Sequence, residues 1–313
     1  MTVARACVLV GVDFSDASRR ALEHAIPLCV RLDAELLLLH SWNPTGWIPD
    51  PEMAAGADDV LDAAKQLART RLEDWAARAR RAGARVETRL EAGAASRSIT
   101  ETARTQGPTL VVVGRRGRAR LAHVLLGSVS ERVVHLACCP VLVVPGETAS
   151  PELPQRLLVG VDFSPASRDA LEVTVRLARD LGARRGLVLA HAYPGERELW
   201  LESGVEIAHH GKWPYDQEAL EKWAAPLLPP GVGMEARVVD GPPETELVEL
   251  ARSAHCDWIV VGVQGQSALA ELLIGRTADR VLKLADRPVL IVPSPAASPG
   301  RVGTWGSEAR RDE

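Results

Sequence analysis

No window of the 313 residues approaches eighteen consecutive apolar positions, so a membrane-spanning helix is excluded as a reading of this chain. Excess positive charge is missing too. The formal net charge is −4, whereas a nucleic-acid-binding domain is usually basic, so no nucleic-acid partner is expected. The loop G-x4-G-K-[ST] does not occur, which removes a P-loop motor or kinase, and neither does the G-x-S-x-G elbow or any evident pairing of a nucleophile with a base. No catalytic residue is assigned. Cysteine is scarce: Cys7, Cys29, Cys138, Cys139 and Cys256 are odd in number, lack C-x-x-C spacing, and read as reduced, mostly packing thiols, with a vicinal disulfide between the adjacent Cys138 and Cys139 as the less favoured alternative. His209-His210, His191 and His255-Cys256 have no H-x3-H or C-x2-C partners, so no protein-held metal is expected. Met1 to Cys7 runs straight into the first strand without a secretory leader, and the chain reads as cytoplasmic.

What is present is a repeat. With 25% charged and 46% hydrophobic residues, a chain of this length supports two ordinary globular domains. Leu9-Val10-Gly11-Val12-Asp13-Phe14-Ser15-Asp16-Ala17-Ser18-Arg19 returns as Leu158-Val159-Gly160-Val161-Asp162-Phe163-Ser164-Pro165-Ala166-Ser167-Arg168. Pro140-Val141-Leu142-Val143-Val144-Pro145 returns as Pro288-Val289-Leu290-Ile291-Val292-Pro293. Both ends of the unit recur, so the chain is two copies of one fold. The expected division is 1–146, a linker 147–155, 156–293, and a disordered tail 294–313.

Within copy one, strands and helices alternate, which implies parallel strands joined by right-handed crossovers. Strand one is Val8 to Val12, with Ser15 as N-cap of a helix over Asp16 to Leu32. Strand two covers Leu36 to His40, a long helix Ala57 to Ala82, strand three Arg85 to Leu90, a helix Ser96 to Thr105, and strand five Val141 to Val144. In copy two Pro226, Pro229 and Pro230 shorten the second helix.

Between these lies the stretch that carries chemistry. Val111-Val112-Val113 is a β-branched run that stops at Gly114, a position expected to turn sharply because glycine alone adopts φ > 0 at no steric cost. Gly117 follows, then Gly127-Ser128, after which the apolar spacing of Val129 to Leu136 becomes helical. A glycine and a hydroxyl at a helix start, with unpaired N–H groups, make a phosphate site. Arg115, Arg116, Arg118 and Arg120 beside it favour a polyanion. Asp13 ends strand one before a capped helix. Its carboxylate either contacts a nucleotide, directly or through a metal, or satisfies the amides of the turn.

The spacing Gly-x2-Gly-x9-Gly-Ser, preceded by Val10-Gly11-Val12-Asp13-Phe14-Ser15, resembles the nucleotide-binding signature of the universal stress proteins, and the resemblance runs from about Thr2 to Pro293. It implies an α/β fold, two tandem copies of a doubly wound five-stranded parallel sheet, Rossmann-like and of the adenine-nucleotide α-hydrolase-like kind. It implies ATP, with Mg2+ as its companion, held by Asp13, Ser41, Gly114, Gly117, Gly127, Ser128 and Val129: backbone N–H groups and Ser128 Oγ on ribose and phosphates, and a backbone group just after strand two on adenine. The family usually has valine there, where this chain has Ser41.

Copy two keeps Gly262, Gly265 and Gly275 but has Arg276 in place of the Ser/Thr, and its connection contains Glu271 and no Arg or Lys. Copy one is therefore expected to bind nucleotide, and copy two to bind it weakly or not at all. The resemblance further implies an intramolecular pseudo-dimer through the edge strands, with a homodimer as the other arrangement, and a nucleotide-responsive regulatory role in stress adaptation. A slow ATP hydrolase or phosphotransferase and a nucleotide-free scaffold stand as the alternatives. Neither the stress nor a protein partner can be read from the residues.

Overall fold

The computed structural model describes residues 6–42, 57–116, 126–146, 152–193, 216–263 and 274–293. Gly117, Arg118 and Arg120, the histidines at 209 and 210, Glu271 and the expected tail fall outside them, as does most of the expected linker. The described residues form two compact units, one carrying the first five strands and the other the last five.

In the first unit the order is β1 (Cys7–Val12), α1 (Asp16–Leu32), β2 (Glu35–Trp42), α2 (Ala57–Arg81), β3 (Arg85–Ala92), α3 (Ala95–Gln106), β4 (Leu110–Gly114), α4 (Ser128–Leu136) and β5 (Val141–Val144). The second repeats it: β6 (Leu157–Gly160), α5 (Pro165–Leu181), β7 (Leu187–Tyr193), α6 (Gln217–Ala224), β8 (Met234–Asp240), α7 (Pro243–Ser253), β9 (Trp258–Gly262), α8 (Arg276–Leu284) and β10 (Val289–Val292). Within each unit all pairings are parallel, in the order β3-β2-β1-β4-β5 and equivalently β8-β7-β6-β9-β10. The expected doubly wound five-stranded sheet is present twice.

The central strands are near-continuous apolar runs because helices cover both faces of a parallel sheet. Val8 to Val10, Leu36 to Leu39, Leu110 to Val113 and Val141 to Val144 are all buried. α1 starts where expected: Ser15 Oγ accepts from Ser18 N at 3.2 Å, and Ser164 Oγ accepts from Ser167 N with Pro165 in the first turn of α5. The helix after β7 ends early, as the prolines require, with a single 3-10 turn at Ala225–Leu227.

Two details depart from the local reading. β2 runs on through Ser41 and Trp42, because β3 is long enough to pair with both, Ser41 with Glu91 and Trp42 with Ala92. The ladder from β1 stops at Val12 and His40, so Ser41 lies within the strand but beyond its central partner. Gly114 is not among the glycines with positive φ. Its necessity is steric: a Cβ there would lie 2.6 Å from the carbonyl oxygen of Ala17 in α1, and one on Gly262 would lie 2.7 Å from that of Ala166. The glycine lets helix and strand touch.

Candidate functional site at the switch point

Strand order reverses between β1 and β4. β1 sends its chain by α1 to β2 on one side, while α3 brings the chain back to β4 on the other. Ligands in such sheets bind beyond the carboxyl ends of the strands at this point. A cavity of about 340 Å³ lies there, lined by Asp13, Ser41, Gly114, Gly127, Ser128 and Val129. Six of the seven expected site residues thus share one cleft, and the seventh, Gly117, is outside the described residues.

Its floor is apolar. Val12 and Val113 come from strand ends, Leu39 from β2, and Ile99 from α3. Gly11 also lines it, where a Cβ would meet Ile99 Cδ1 at 2.5 Å. The opposite rim is polar and is made by α4. Gly127 is its N-cap, with no side-chain cap, so the first N–H groups of the helix have no partner within it. Gly127 is anchored in turn, its N–H donating to Arg115 O at 2.8 Å while Arg115 N donates to Val144 O at 2.7 Å. These bonds aim the start of α4 at the cleft, and the helix dipole adds positive potential there. Arg116 stands on the same rim.

Asp13 serves the turn and also lines the cleft. Its Oδ1 accepts from Ser15 N at 3.0 Å and from Ser15 Oγ at 2.5 Å, so it organises the turn into α1. It also faces the cavity, as the one carboxylate among the described lining residues. Ser41 Oγ donates to Gly93 O at 2.7 Å and lies 3.2 Å from Ser98 Oγ. That ties its hydroxyl to the β3–α3 corner, leaving the backbone of β2 as its contribution to the cleft.

The turn after Asp13 is strained. Phe14 has φ 61°, a left-handed conformation that a bulky residue rarely adopts. Its ring packs against His40 at 4.4 Å and Trp75 at 5.5 Å between centroids, with the Arg71 guanidinium 4.6 Å away. His40 Nδ1–H donates to Val12 O at 2.8 Å, which makes it a buried structural histidine. Phe163, His191 and Trp223 reproduce the arrangement, with Phe163 at φ 62°.

Ser130, Ser18 and Ile99 also line the cleft, and motif spacing does not point to them. A second serine two places after Ser128 was the available signal for Ser130, whose hydroxyl reaches Gly114 O. Nothing local marks Ile99, which arrives by the crossover.

In the second unit the equivalent cavity is smaller, about 210 Å³, and is lined by Asp162, Ser167, Gly262, Gly275, Arg276 and Thr277 among others. Arg276 takes the place of Ser128, and Ala278 that of Ser130. Beside it, buried Glu244 is bonded by Arg280 across α7 and α8. Burial is the largest single influence and pushes the Glu244 carboxyl up, but the Arg280 hydrogen bond, the backbone hydrogen bond and the Arg280 and Arg276 charges together hold it below its ordinary range. Among the described residues, no group of three or more His, Cys, Asp or Glu is arranged to hold a metal ion, and no helix is long and apolar enough to cross a membrane.

Comparison with known proteins agrees with this duplication. The model of the universal stress protein family matches residues 7–145 and again 154–293. A universal stress protein of Mycolicibacterium smegmatis is 30% identical over 299 residues, covering 91% of this chain and 96% of that protein. Another, from Mycobacterium tuberculosis strain H37Rv, is 29% identical over 297 residues, covering 91% and 95%. A solved universal stress protein structure from Archaeoglobus fulgidus superposes with a TM-score of 0.64 at 22% identity, over 92% of this chain and 96% of that one, a likeness of fold. With two family matches laid over two sheets of the same strand order, the chain belongs to the universal stress protein family, as a tandem member.

Proposed function

We propose that the first domain binds ATP with magnesium, and that occupancy of this cleft sets the conformation or partner choice of the protein in stress adaptation. The observation that carries the reading is the meeting of Asp13, Ser41, Gly114, Gly127, Ser128 and Val129 around one cavity with an apolar floor and a helix start at its rim. Leu39, Ile99 and Val113 suit a flat heteroaromatic base, and the backbone of β2 at Ser41 suits its polar edge. The first N–H groups of α4, Ser128 Oγ and Arg116 suit phosphate oxygens.

Magnesium would be held chiefly by phosphate oxygens and water, with Asp13 as the protein carboxylate within reach. Bound nucleotide supplies dense negative charge at the α4 rim. It biases a conformational equilibrium only by its difference in affinity between the two states. The second domain is assigned weak binding or none: its cavity is smaller, and a side chain rather than a hydroxyl stands at the helix start.

Calorimetric titration with ATP and magnesium, followed by product analysis of the same sample, tests the reading. One site per chain with ATP intact is the expected result. Accumulating ADP would make the protein a slow hydrolase, and no heat of binding would end the proposal. The repeated edge-strand sequences support an intramolecular pseudo-dimer. Separately expressed halves should then self-associate, and two well-behaved monomers would refute it.

A further inference from the structure

The turn from α4 to β5 reads Ala137-Cys138-Cys139-Pro140, and its counterpart from α8 to β10 reads Ala285-Asp286-Arg287-Pro288. In the second copy that turn is ionic. Asp286 accepts from Arg252 Nε at 3.3 Å, and Arg252 also pairs with Glu249 at 2.9 Å. Arg287 donates to the carbonyls of Ala251 and Cys256. The first copy keeps the surroundings: Arg104 stands for Arg252, Glu101 for Glu249, and the two pair at 2.6 Å. Cys138 stands at the repeat position of Asp286, with the Arg104 charge within range of its sulfur. A place built for an anion beside an arginine favours a thiolate for the same electrostatic reason.

The neighbouring thiol completes the arrangement. Cys139 is buried, and its hydrogen bond to Cys138 is the main influence that draws the Cys138 thiol down to about 6; partial burial pushes the other way, and the backbone hydrogen bond and the Arg104 charge add to the lowering. Cys139 is correspondingly pushed well up and keeps its proton. Burial raises Cys7 and Cys256 to about 11 and Cys29 further still, so these read as packing thiols. Cys138 is half-buried, at the end of the sheet opposite the nucleotide cleft.

We propose that Cys138 is a hydroperoxide-reactive thiolate and Cys139 its resolving thiol. The Cys138 sulfur attacks the terminal peroxide oxygen, the O–O bond breaks, and the leaving hydroxide or alkoxide takes a proton from water, leaving a sulfenic acid. Cys139 then gives up its proton, its sulfur attacks the Cys138 sulfur, the S–O bond breaks, and hydroxide departs as water. Two thiols and one hydroperoxide become one disulfide, one water and one water or alcohol. Exchange with a small thiol restores both cysteines.

The test uses the full chain, with peptide mass spectrometry. Iodoacetamide below one equivalent should label Cys138 at least about ten-fold faster than Cys7, Cys29 or Cys256, with the rate turning on near pH 6. Hydrogen peroxide should remove two hydrogens from the peptide holding Cys138 and Cys139, reversibly with dithiothreitol. In Cys139→Ser, where a hydroxyl keeps the hydrogen bond, dimedone should trap the sulfenic acid at Cys138. Labelling of Cys138 that turns on only near about pH 8.5, the value of an ordinary thiol, would overturn the proposal. So would a peptide that peroxide leaves unchanged.

Discussion

Ser130 donates its hydroxyl proton to the carbonyl oxygen of Gly114 at 2.6 Å, closing the end of β4 onto the first turn of α4. Ala278 holds the equivalent place in the second copy and has no proton to give. The two helix starts share the backbone bond of Gly127 or Gly275, and the one with the added hydroxyl bond belongs to the larger cleft. Ser130→Ala should lower stability by about 1 kcal/mol, the usual worth of one hydrogen bond, and weaken ATP binding by roughly five-fold. Chemical denaturation and calorimetry would check both. No change in either would make the bond incidental to the site.

Gly114 and Gly262 are constrained by backbone contacts with α1 and α5 that leave no room for a methyl group. Gly114→Ala and Gly262→Ala should each destabilise their own domain by roughly 1–3 kcal/mol, as overpacking does. Because the cause is helix-to-strand contact rather than ligand binding, the costs should be similar in both copies. Urea unfolding of the two variants measures this, and a large effect in the first copy alone would contradict it.

Gly127 has φ −74° and ψ 144°, extended backbone that any residue adopts. Gly127→Val should therefore leave unfolding cooperative while its side chain blocks the approach to the α4 N–H groups, reducing ATP affinity at least about ten-fold. Ser128→Ala should cost about 1 kcal/mol of binding. Unaltered affinity in Gly127→Val would remove the site from this helix.

His24 is buried on α1, and burial lowers its ring to about 4. The unfolded chain, with an ordinary histidine, binds the proton more tightly, so protonation favours unfolding. The penalty begins as pH falls below about 6.5 and saturates below the folded value, reaching about 2 kcal/mol at pH 5. His24→Leu should lose less stability than the parent between pH 7.5 and pH 5. Parallel stability curves for the two proteins would refute this.

The alternation of strands and helices, the duplication and the start of α4 at Ser128 were legible along the chain, because each depends on residues near one another. Ser15 caps α1 through Ser18, three places on, and the pattern of both survives in Ser164 and Ser167. The reason for Gly114 was not legible, since the atom that forbids a side chain belongs to Ala17, far away in sequence. Asp13 likewise could be read as a turn residue or a ligand contact, and only the folded chain shows that one oxygen serves the turn while the residue lines the cavity.

By itself, then, the sequence determined a twice-repeated α/β unit with a glycine and a serine at one helix start, because periodicity, capping and turn chemistry act over a few residues. Tertiary structure decided what those elements enclose. Crossovers bring Ile99, Leu39 and Ser130 to the same cleft and the Arg104 charge within range of Cys138, and the resulting sterics, burial and charge depend on distances that no local spacing encodes.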